Sequence, residues 1–245
     1  LDLSRIKEVL KKLDNPCQNI PAIQIVGTNG KGSITSFIQS SLKSANVKTG
    51  VTTSPHLCSW CERISIDGNQ ISITEFREHI LSLKPIIQKY QLTPFELVMA
   101  TAFDHFSRHH VELLVLEVGL GGRLDATTAH SFRPIIAMAS IGLDHCEHLG
   151  NNIEEIAKEK AAVISPGSKV ISGLQDPEVT RVLTEAVKKN HAEIEWVKPL
   201  SGQWDLGLKG EFQRKNAAVA QGALKALNAL GWEINEQNIR QGFSI

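Results

Sequence analysis

The chain has 245 residues and is 42% hydrophobic, so it is long enough to bury a full core within a single large domain. Lysine plus arginine and aspartate plus glutamate each total 26, which excludes the basic footprint of a nucleic-acid binder or of a polybasic membrane segment. The longest apolar run, LLVLEVGL, is too short to span a bilayer and contains Glu117, and no signal-peptide pattern is visible. We therefore expect a cytoplasmic monomer whose partners are small molecules.

Predicted helices and strands alternate along the chain. An amphipathic helix, LSRIKEVLKKL, precedes a series of buried strands: AIQIVG, VKTGV, ELLVLEVG, PIIAMASIG and KVISG. Further helices are predicted at SITSFIQSSLKSA, EFREHILSL, FELVMATAFDHF, IEEIAKEKAAVI, EVTRVLTEAVKK and RKNAAVAQGALKAL. RISIDGNQISI is expected to form a hairpin that turns at Asp67-Gly68.

This β-α series predicts an α/β fold with a mostly parallel, doubly wound sheet, helices on both faces and one small β-hairpin. We find no internal repeat, low-complexity tract or linker-like run, so one domain is expected over residues 1–245. Ligands of such sheets gather at the carboxyl ends of the strands. Polar residues at those ends are therefore the first candidates for a functional site.

The stretch IVGTNGKGS follows the first predicted strand and precedes a helix. The usual phosphate loop has Gly five positions before its Gly-Lys pair and Ser or Thr directly after the Lys. Here Ile25 takes that first place, and Gly32 separates Lys31 from Ser33. Backbone N–H groups of a glycine-rich loop at a helix start can still wrap a phosphate. A phosphate loop is therefore predicted at Gly27, Thr28, Asn29, Gly30, Lys31, Gly32 and Ser33.

Two other strands end in polar residues. ELLVLEVG ends at Glu117 and runs into the glycine-rich turn GLGGRLDA, which places a carboxylate facing the phosphate loop. PIIAMASIG leads to Asp144 and His145 at the next strand end. A carboxylate buried in an apolar strand needs a cation or hydrogen bonds. An exposed or capping glutamate is the alternative for Glu117, and a satisfied core histidine is the alternative for His145.

A zinc site is a further alternative. Cys58 and Cys61 have zinc-knuckle spacing, and His56, His145 and His148 could complete such a site. A single C-x-x-C is a weak signal, and no second one follows. Four cysteines in a chain of this length do not make a disulfide framework either.

Several motifs together resemble a known family. GTNGKGS, TSPHL, TPFE, EVGLGGRLDAT, SIGLDH and FQRKNAAVA occur in this order over most of the chain. In this set and order the chain resembles the folylpolyglutamate synthase / dihydrofolate synthase family of Mur-type ligases. It departs from the family's usual pattern at Phe212, where the family has His, at Thr128, where it has Asn, and at Ala162, where it has Gly.

The resemblance implies an ATP-dependent, ADP-forming amide ligase with a Mur-ligase-like ATP-binding domain. A carboxylate of dihydropteroate or tetrahydrofolate would attack the γ-phosphoryl group of ATP, and L-glutamate would displace phosphate from the resulting acyl phosphate. Such phosphoryl transfer depends on positioning and on charge neutralisation. Family members have a further C-terminal domain, so residues 1–245 are expected to be the N-terminal domain of a longer two-domain enzyme, inactive alone.

The resemblance also assigns roles at the phosphate end. Lys31 would neutralise the β/γ oxygens of ATP, and Asn216 would contact the adenine. Ser54 and Glu117 would hold a first Mg²⁺, and His145 would join Glu117 at a second. Histidine is an uncommon ligand for so hard a cation, so the residues alone would place His145 outside the set of metal ligands. Only the resemblance makes it a ligand.

Lys160 in AKEKA has a special role in the family. An ammonium about 4 Å from a divalent ion would be repelled by about 8 kcal/mol at an effective dielectric constant near 20. Family members carry a carbamylated lysine at the matching place, so a carbamate on Lys160 would meet the second metal. The alternative is an ordinary helix-surface lysine paired with Glu155 or Glu159.

For the pterin, the resemblance points to two groups of residues. A carboxylate can accept two hydrogen bonds from the amino-pyrimidine edge while an aromatic ring stacks on it. Pro94 after a Thr93 cap is equally typical of a helix start, and Phe95 suits a core position. The predicted pterin-binding residues are Thr93, Pro94, Phe95, Leu124, Asp125 and Ala126.

Two rival interpretations stay open. The first is another P-loop or Mur-type enzyme, such as a peptidoglycan amide ligase or a kinase. Peptidoglycan ligases normally place Thr directly after the loop Lys, so Gly32-Ser33 favours the folate branch. The second is an isolated nucleotide-binding module that is inactive without a second domain.

Overall fold

The computed structural model describes residues 2–245, except for the side chain of His148. The strands are β1 Ala22–Val26, β2 Thr49–Thr52, β3 Ile64–Ile66, β4 Asn69–Gln70, β5 Leu113–Glu117, β6 Ile135–Met138, β7 Lys169–Gly173 and β8 Glu193–Val197. The helices are α1 Ser4–Lys12, α2 Lys31–Ser44, α3 Ile73–Tyr90, α4 Pro94–Arg108, α5 Cys146–Leu149, α6 Ile153–Ala161, α7 Pro177–Lys189, α8 Gln213–Asn228 and α9 Glu236–Phe243. Two short 3₁₀ helices cover Trp60–Arg63 and Ala126–Ala129.

One eight-stranded sheet runs through the described chain, in the order β4-β3-β2-β5-β1-β6-β7-β8. The six strands from β2 to β8 in that order pair in parallel, and β3 and β4 form an antiparallel hairpin at one edge. In the register of the sheet, Glu117 lies opposite Ile25, and Met138 lies opposite Val26. The carboxyl ends of β1, β5 and β6 therefore meet at one edge, and the predicted mostly parallel sheet with its hairpin is confirmed.

Helices cover both faces of this sheet. β1 is buried at every residue, and its side chains alternate between the faces because successive residues of a strand point in opposite directions. Ile23 and Ile25 pack with α2, α8 and α9, whereas Ala22 packs with α1 and α4. Val26 packs with α6 and α7. Continuous apolar runs in the sequence thus correspond to strands that are covered on both sides.

The helix that follows the phosphate loop is braced by the last helix. Phe37 of α2 and Phe243 of α9 are both buried, and their ring centroids lie 4.8 Å apart. Gly242 brings the two helices close, because a Cβ there would overlap the backbone of Ser41. α2 is therefore held between the sheet and α9.

Three elements were not predicted. β8 is an edge strand with the sequence EIEWV. Two of its residues are glutamates and all five lie at least partly in solvent, so it lacks the apolar run of the inner strands. α9 is a short polar helix that buries only Ile239, Gly242 and Phe243. α5 has a single turn. None of the helices in the described part of the chain combines the length and the apolar content needed to cross a bilayer.

Candidate active site

The loop between β1 and α2 depends on two glycines. Gly27 has φ +149° and Gly30 has φ +95°, a backbone region that residues with side chains rarely adopt. A Cβ on Gly27 would lie 2.6 Å from the Cβ of Ala139, and a Cβ on Gly30 would overlap the carboxamide of Asn216. The chain can therefore turn tightly from strand to helix, which brings the N-terminus of α2 to the carboxyl edge of the sheet.

Two loop amides that we predicted to bind phosphate are already bonded within the protein. The N–H groups of Thr28 and Asn29 donate to the Ser140 carbonyl at 2.7 and 3.3 Å. The Ser140 hydroxyl donates to the Asn29 carbonyl at 3.1 Å, and the Thr28 hydroxyl donates to the Gly142 carbonyl at 3.1 Å. These bonds fasten the loop to the segment after β6, so these two amides are engaged and the remaining loop amides start at Gly30.

Two lysines meet at one backbone oxygen of the loop. Nζ of Lys31 donates to the Gly27 carbonyl at 3.2 Å and to the Thr28 carbonyl at 3.1 Å. Nζ of Lys160, on α6, donates to the same Gly27 oxygen at 3.1 Å. Burial, and after it the charge of Lys31, lowers the pKa of Lys160 from 10.5 to about 8. Two cationic side chains, Lys31 from the start of α2 and Lys160 from α6, thus lie close together against the loop.

Lys160 is not a surface lysine, so that alternative is wrong. Its exposed fraction is 3%, because α6 packs against the sheet with this side chain inward. Glu159 instead accepts a hydrogen bond from Arg123 at 2.9 Å. Glu155 accepts from the Asn151 amide at 2.8 Å.

Glu117 is buried beside the loop, with an exposed fraction of 3%. Its carboxylate accepts from the Thr35 hydroxyl at 3.4 Å and from the backbone N–H of Ser54. Burial raises the pKa of Glu117 from 4.5 to about 7, although the charge of Lys31 acts in the opposite direction. Glu117 is therefore a buried carboxylate near cations, and the exposed alternative is wrong.

Ser54 lies next to Glu117 and also contacts a residue to which the sequence analysis gave no role. Arg63 donates through Nη1 to the Ser54 hydroxyl at 3.3 Å and through Nε to His56 Nδ1 at 2.7 Å. Its guanidinium carbon lies 4.9 Å from the Trp60 ring centroid and 6.0 Å from that of Phe95. Arg63 thus joins the predicted metal ligand Ser54 to the predicted pterin residue Phe95. Glu62-Arg63, downstream of TSPHL, belongs to the sequence pattern that resembles the family, but that pattern assigned no role to Arg63.

His145 stands at the start of α5 with φ +49°, and its side chain is 50% exposed. It is therefore not a core histidine, and that alternative is wrong. Its Nε2 lies 3.6 Å from the carboxylate of the neighbouring Asp144. The charge of Asp144 in turn acts on the pKa of Lys160, so this loop faces the Lys160 side of the site.

A cavity of about 620 Å³ opens next to Ser54. Thr93 and Phe95 line it from the start of α4, and Leu124, Asp125 and Ala126 line it from the turn after β5. Pro94 is not among its lining residues; it is exposed and occupies the first turn of α4 behind the Thr93 cap. Five of the six predicted pterin residues thus surround one cavity, and Pro94 is instead the first residue of α4, after the Thr93 N-cap.

Asp125 lines this cavity with a carboxylate that is already satisfied. One oxygen accepts from the amides of Gly119 and Leu120, at 2.9 and 3.1 Å. The other accepts from the Thr127 amide at 3.0 Å and from the Thr127 hydroxyl at 2.5 Å. A carboxylate has about four lone-pair sites, and all are used here. The direct pairing of Asp125 with two pterin donors is therefore not supported.

A second cavity, of about 590 Å³, lies on the other side of the loop. Gly30 and Ser33 line it from the loop, and Asn216 and Phe212 line it from the start of α8. The Asn216 amide donates to Gln213, which donates in turn to the Ser33 hydroxyl, at 2.9 and 3.1 Å. The predicted adenine residue therefore belongs to a network that ties α8 to the loop.

Thr128, one departure from the family pattern, has a structural role. Its hydroxyl accepts from the side-chain amide of Gln24 at 2.8 Å and donates to the Gly122 carbonyl at 2.8 Å. Thr128 thus fixes the glycine-rich turn to β1.

The zinc alternative gains no support. Cys61 is buried and Cys58 is exposed, and both are free thiols. His56 Nδ1 is taken by Arg63. Among the described residues these side chains do not form a ligand cluster, and the side chain of His148 lies outside them.

A parallel α/β sheet with a glycine-rich loop at a helix start, flanked by two cavities, defines a P-loop nucleotide-binding domain. The model of the Mur ligase middle domain matches residues 25–224. The chain belongs to the Mur ligase superfamily and, within it, to the folylpolyglutamate synthase / dihydrofolate synthase family.

Three similar proteins support this assignment. The dihydrofolate synthase/folylpolyglutamate synthase of Bacillus subtilis is 37% identical over 79% of this chain and 46% of its own length. The folylpolyglutamate synthase of Mycobacterium tuberculosis, solved with ADP and AMPPCP, has a TM-score of 0.91 at 31% identity, over 99% of this chain and 62% of that one. E. coli FolC, solved with DHPP and ADP, has a TM-score of 0.88 at 27% identity, over 100% and 61%. The chain thus spans less than two thirds of each of these relatives.

Proposed function

We propose that this chain is the ATP-binding domain of an ADP-forming amide ligase that adds L-glutamate to dihydropteroate, tetrahydrofolate or both. The observation that carries the proposal is the meeting of Lys31, Lys160 and Glu117 at the loop, between two cavities. The relatives solved with ADP, AMPPCP or DHPP support the same assignment. The proposed substrates are small molecules, and a cytoplasmic monomer stays a prediction from the sequence.

ATP would bind across the loop. The phosphates would lie over the amides from Gly30 to Ser33, because those of Thr28 and Asn29 are engaged with Ser140. Lys31 would leave its two loop carbonyls to neutralise the β/γ oxygens. The base would enter the second cavity, where Asn216 is the predicted adenine contact.

The residues around Glu117 fit a hard divalent cation. A buried carboxylate and the Ser54 hydroxyl are oxygen ligands of the kind that Mg²⁺ prefers. Bound Mg²⁺ would supply charge neutralisation on the transferred phosphoryl group. Glu117 and Ser54 would hold one ion, and His145 with Glu117 would hold a second.

Lys160 would contribute to the second ion as a carbamate. Its pKa of about 8 leaves a fraction of the amine neutral near pH 7.5, and only the neutral amine adds CO₂. The positive charge of Lys31 beside it would stabilise the carbamate anion. Lys160 would then change from a cation into an oxygen ligand.

The pterin would occupy the first cavity. Phe95 offers an aromatic face, and Thr93, Leu124 and Ala126 offer the walls. Asp125 would shape this end of the cavity by holding the turn at Gly119 and Leu120. Amide synthesis would also need the region of the relatives that residues 1–245 do not span, because even small misplacements of reacting groups cost large factors in rate.

Binding and turnover test the proposal separately. Calorimetry with AMPPCP and Mg²⁺, and then with dihydropteroate, should show both ligands binding to residues 1–245. Protein that also includes the region spanned only by the relatives should form ADP and an amide from dihydropteroate and L-glutamate. Turnover instead with an amino-acid-loaded nucleotide sugar would indicate another Mur-type ligase. Nucleotide binding without any turnover would indicate a nucleotide-binding module. Mass spectrometry with and without carbonate tests the carbamate, because a carbamylated Lys160 should show an added mass only when carbonate is present.

A further inference from the structure

A second cluster of possible metal ligands lies away from the loop. Glu75 of α3, His105 of α4 and His109 at the end of α4 each offer one ligand atom, and these atoms lie within 4.8 Å of one another. Along α4, His105 is ten residues from Phe95, which corresponds to roughly 15 Å. The cluster is thus at the opposite end of this helix from the first cavity.

The tautomer of His109 suits a metal ligand. Its Nδ1 lies 2.9 Å from the His105 carbonyl, an acceptor, so the neutral ring holds its proton on Nδ1. The lone pair of Nε2 then points to Oε1 of Glu75, 3.6 Å away. Ligating histidines in proteins commonly hold their second nitrogen in this way, on a backbone carbonyl. Two lone-pair atoms that face each other need a proton or a cation between them.

Glu75 is also held in place. Its other oxygen, Oε2, accepts from the hydroxyl and amide of Ser72, at 2.5 and 3.2 Å, in the capping box that starts α3. Oε1 is thus presented toward the histidines by a fixed side chain.

His105 completes the set with a buried polar atom that has no partner. The residue is 4% exposed, and its Nδ1 makes no hydrogen bond. A buried imidazole with an unused nitrogen is a group that a bound metal would satisfy.

We propose that Glu75, His105 and His109 form a binding site for a divalent transition-metal ion of the Zn²⁺ class, linking α3 to α4. Two imidazoles and one carboxylate are ligands for zinc rather than for magnesium, which prefers oxygen. A tetrahedral ion with bonds of about 2.0–2.2 Å brings its ligand atoms to within about 3.4 Å of one another. The ligand atoms lie within 4.8 Å of one another, so the cluster must close by up to about 1.4 Å. Three protein ligands leave a fourth position for water. The site is independent of the function proposed for the loop.

Co²⁺ and Zn²⁺ are the probes for this site. The exposed thiols Cys58 and Cys146 are first replaced by serine, because they could bind either ion. With Mg²⁺ in excess to occupy the cation sites proposed at the loop, we expect one equivalent of Co²⁺ to give the visible absorption of a four- or five-coordinate site, and Zn²⁺ to displace it. Zn²⁺ should also raise the midpoint of thermal unfolding, because it binds the folded state.

Matched variants test whether the Co²⁺ absorption and the Zn²⁺-dependent rise in the unfolding midpoint come from this cluster. Glu75→Gln keeps a capping-box residue but loses the ligand charge, and His109→Gln changes a half-exposed residue, so both should fold. Each should weaken Co²⁺ binding at least tenfold and remove the Zn²⁺-dependent rise in midpoint. His110→Gln, at an exposed neighbour outside the cluster, should change neither. Equal affinity in all three variants, or no saturable binding by the parent, would overturn the proposal.

Discussion

Lys31 and Lys160 donate to the same backbone oxygen, the carbonyl of Gly27, at 3.2 and 3.1 Å. They come from different helices, one at the start of α2 and the other near the end of α6. Two ammonium groups on one acceptor repel each other, and this repulsion contributes to the lowered pKa of Lys160. The pair therefore has an electrostatic cost in the free protein that an anionic ligand would relieve.

Lys31→Ala should abolish nucleotide binding in calorimetry, because it removes the charge nearest the phosphates. Lys43→Ala, an exposed lysine at the other end of α2, is the matched control and should bind as the parent does. Unchanged affinity of Lys31→Ala for ATP would refute the assignment of the loop.

Lys160→Met should change how stability depends on pH. Because folding lowers the pKa of Lys160 from 10.5 to about 8, the unfolded chain binds the proton more tightly, and this residue makes stability rise as pH increases from about 8 to 10.5. The full effect is up to about 3 kcal/mol. Urea unfolding at several pH values should show that this rise is lost in Lys160→Met. An unaltered pH profile would mean that Lys160 keeps an ordinary pKa.

Glu117 should make the free energy of unfolding fall as pH rises, the opposite of the effect of Lys160, and Glu117→Gln should remove this fall. Its raised pKa means that the folded state holds the proton more tightly, so ionisation of Glu117 lowers stability as pH rises from about 4.5 to about 7. The variant should therefore be more stable than the parent at pH 8, by up to about 3 kcal/mol. It should also weaken Mg²⁺-dependent nucleotide binding, since a ligand loses its charge. Wild-type metal dependence in calorimetry would exclude Glu117 as a ligand.

Asp125→Ala should lower the free energy of unfolding by about 3 kcal/mol, because it leaves two buried and two part-buried donors without their acceptor. Thr127→Val, which removes one of these donors, should cost less. Denaturant unfolding measures both. A stable Asp125→Ala variant that loses only pteroate binding would instead establish direct contact with the ligand.

Gly30→Ala should destabilise the protein by about 1–3 kcal/mol, because alanine is strained at a positive φ and its Cβ would displace Asn216. ATP affinity should fall with it, since Asn216 lines the second cavity. Gly142→Ala is the control, because nothing lies within 4 Å of a Cβ there. Thermal unfolding measures the stability of the two variants, and calorimetry measures their affinity for ATP. Equal stability and equal affinity of Gly30→Ala and Gly142→Ala would show that the loop tolerates a side chain.

Elements with a nearly continuous apolar run were predictable, because a strand covered on both faces is apolar at almost every residue. β1 and β5 belong to this class. β8 was missed because its own composition is polar, although it pairs with β7, the preceding strand. α9 was missed because it is a polar helix stabilised by α2, which is distant in the sequence. Local pattern cannot predict an element that depends on tertiary contacts.

The candidate site, like the strands and helices, was predictable only where the signal is local in the sequence. Glycines at a strand end and the buried Glu117 are local signals, and they led to the loop. The pairing of Arg63 with Ser54 and the full satisfaction of Asp125 depend on geometry between segments. Whether a polar group is free for a ligand therefore required the folded structure.

The contact between Phe37 and Phe243 has a consequence for synthesis on the ribosome. It joins residues from opposite ends of the chain, so it is a contact of high sequence separation and forms late. Until residue 243 has left the exit tunnel, the apolar side of α2 lacks its outer cover, although the strands beneath it are complete. A nascent chain stopped before this point should therefore recruit chaperones and bind nucleotide poorly, even though it already contains the whole loop.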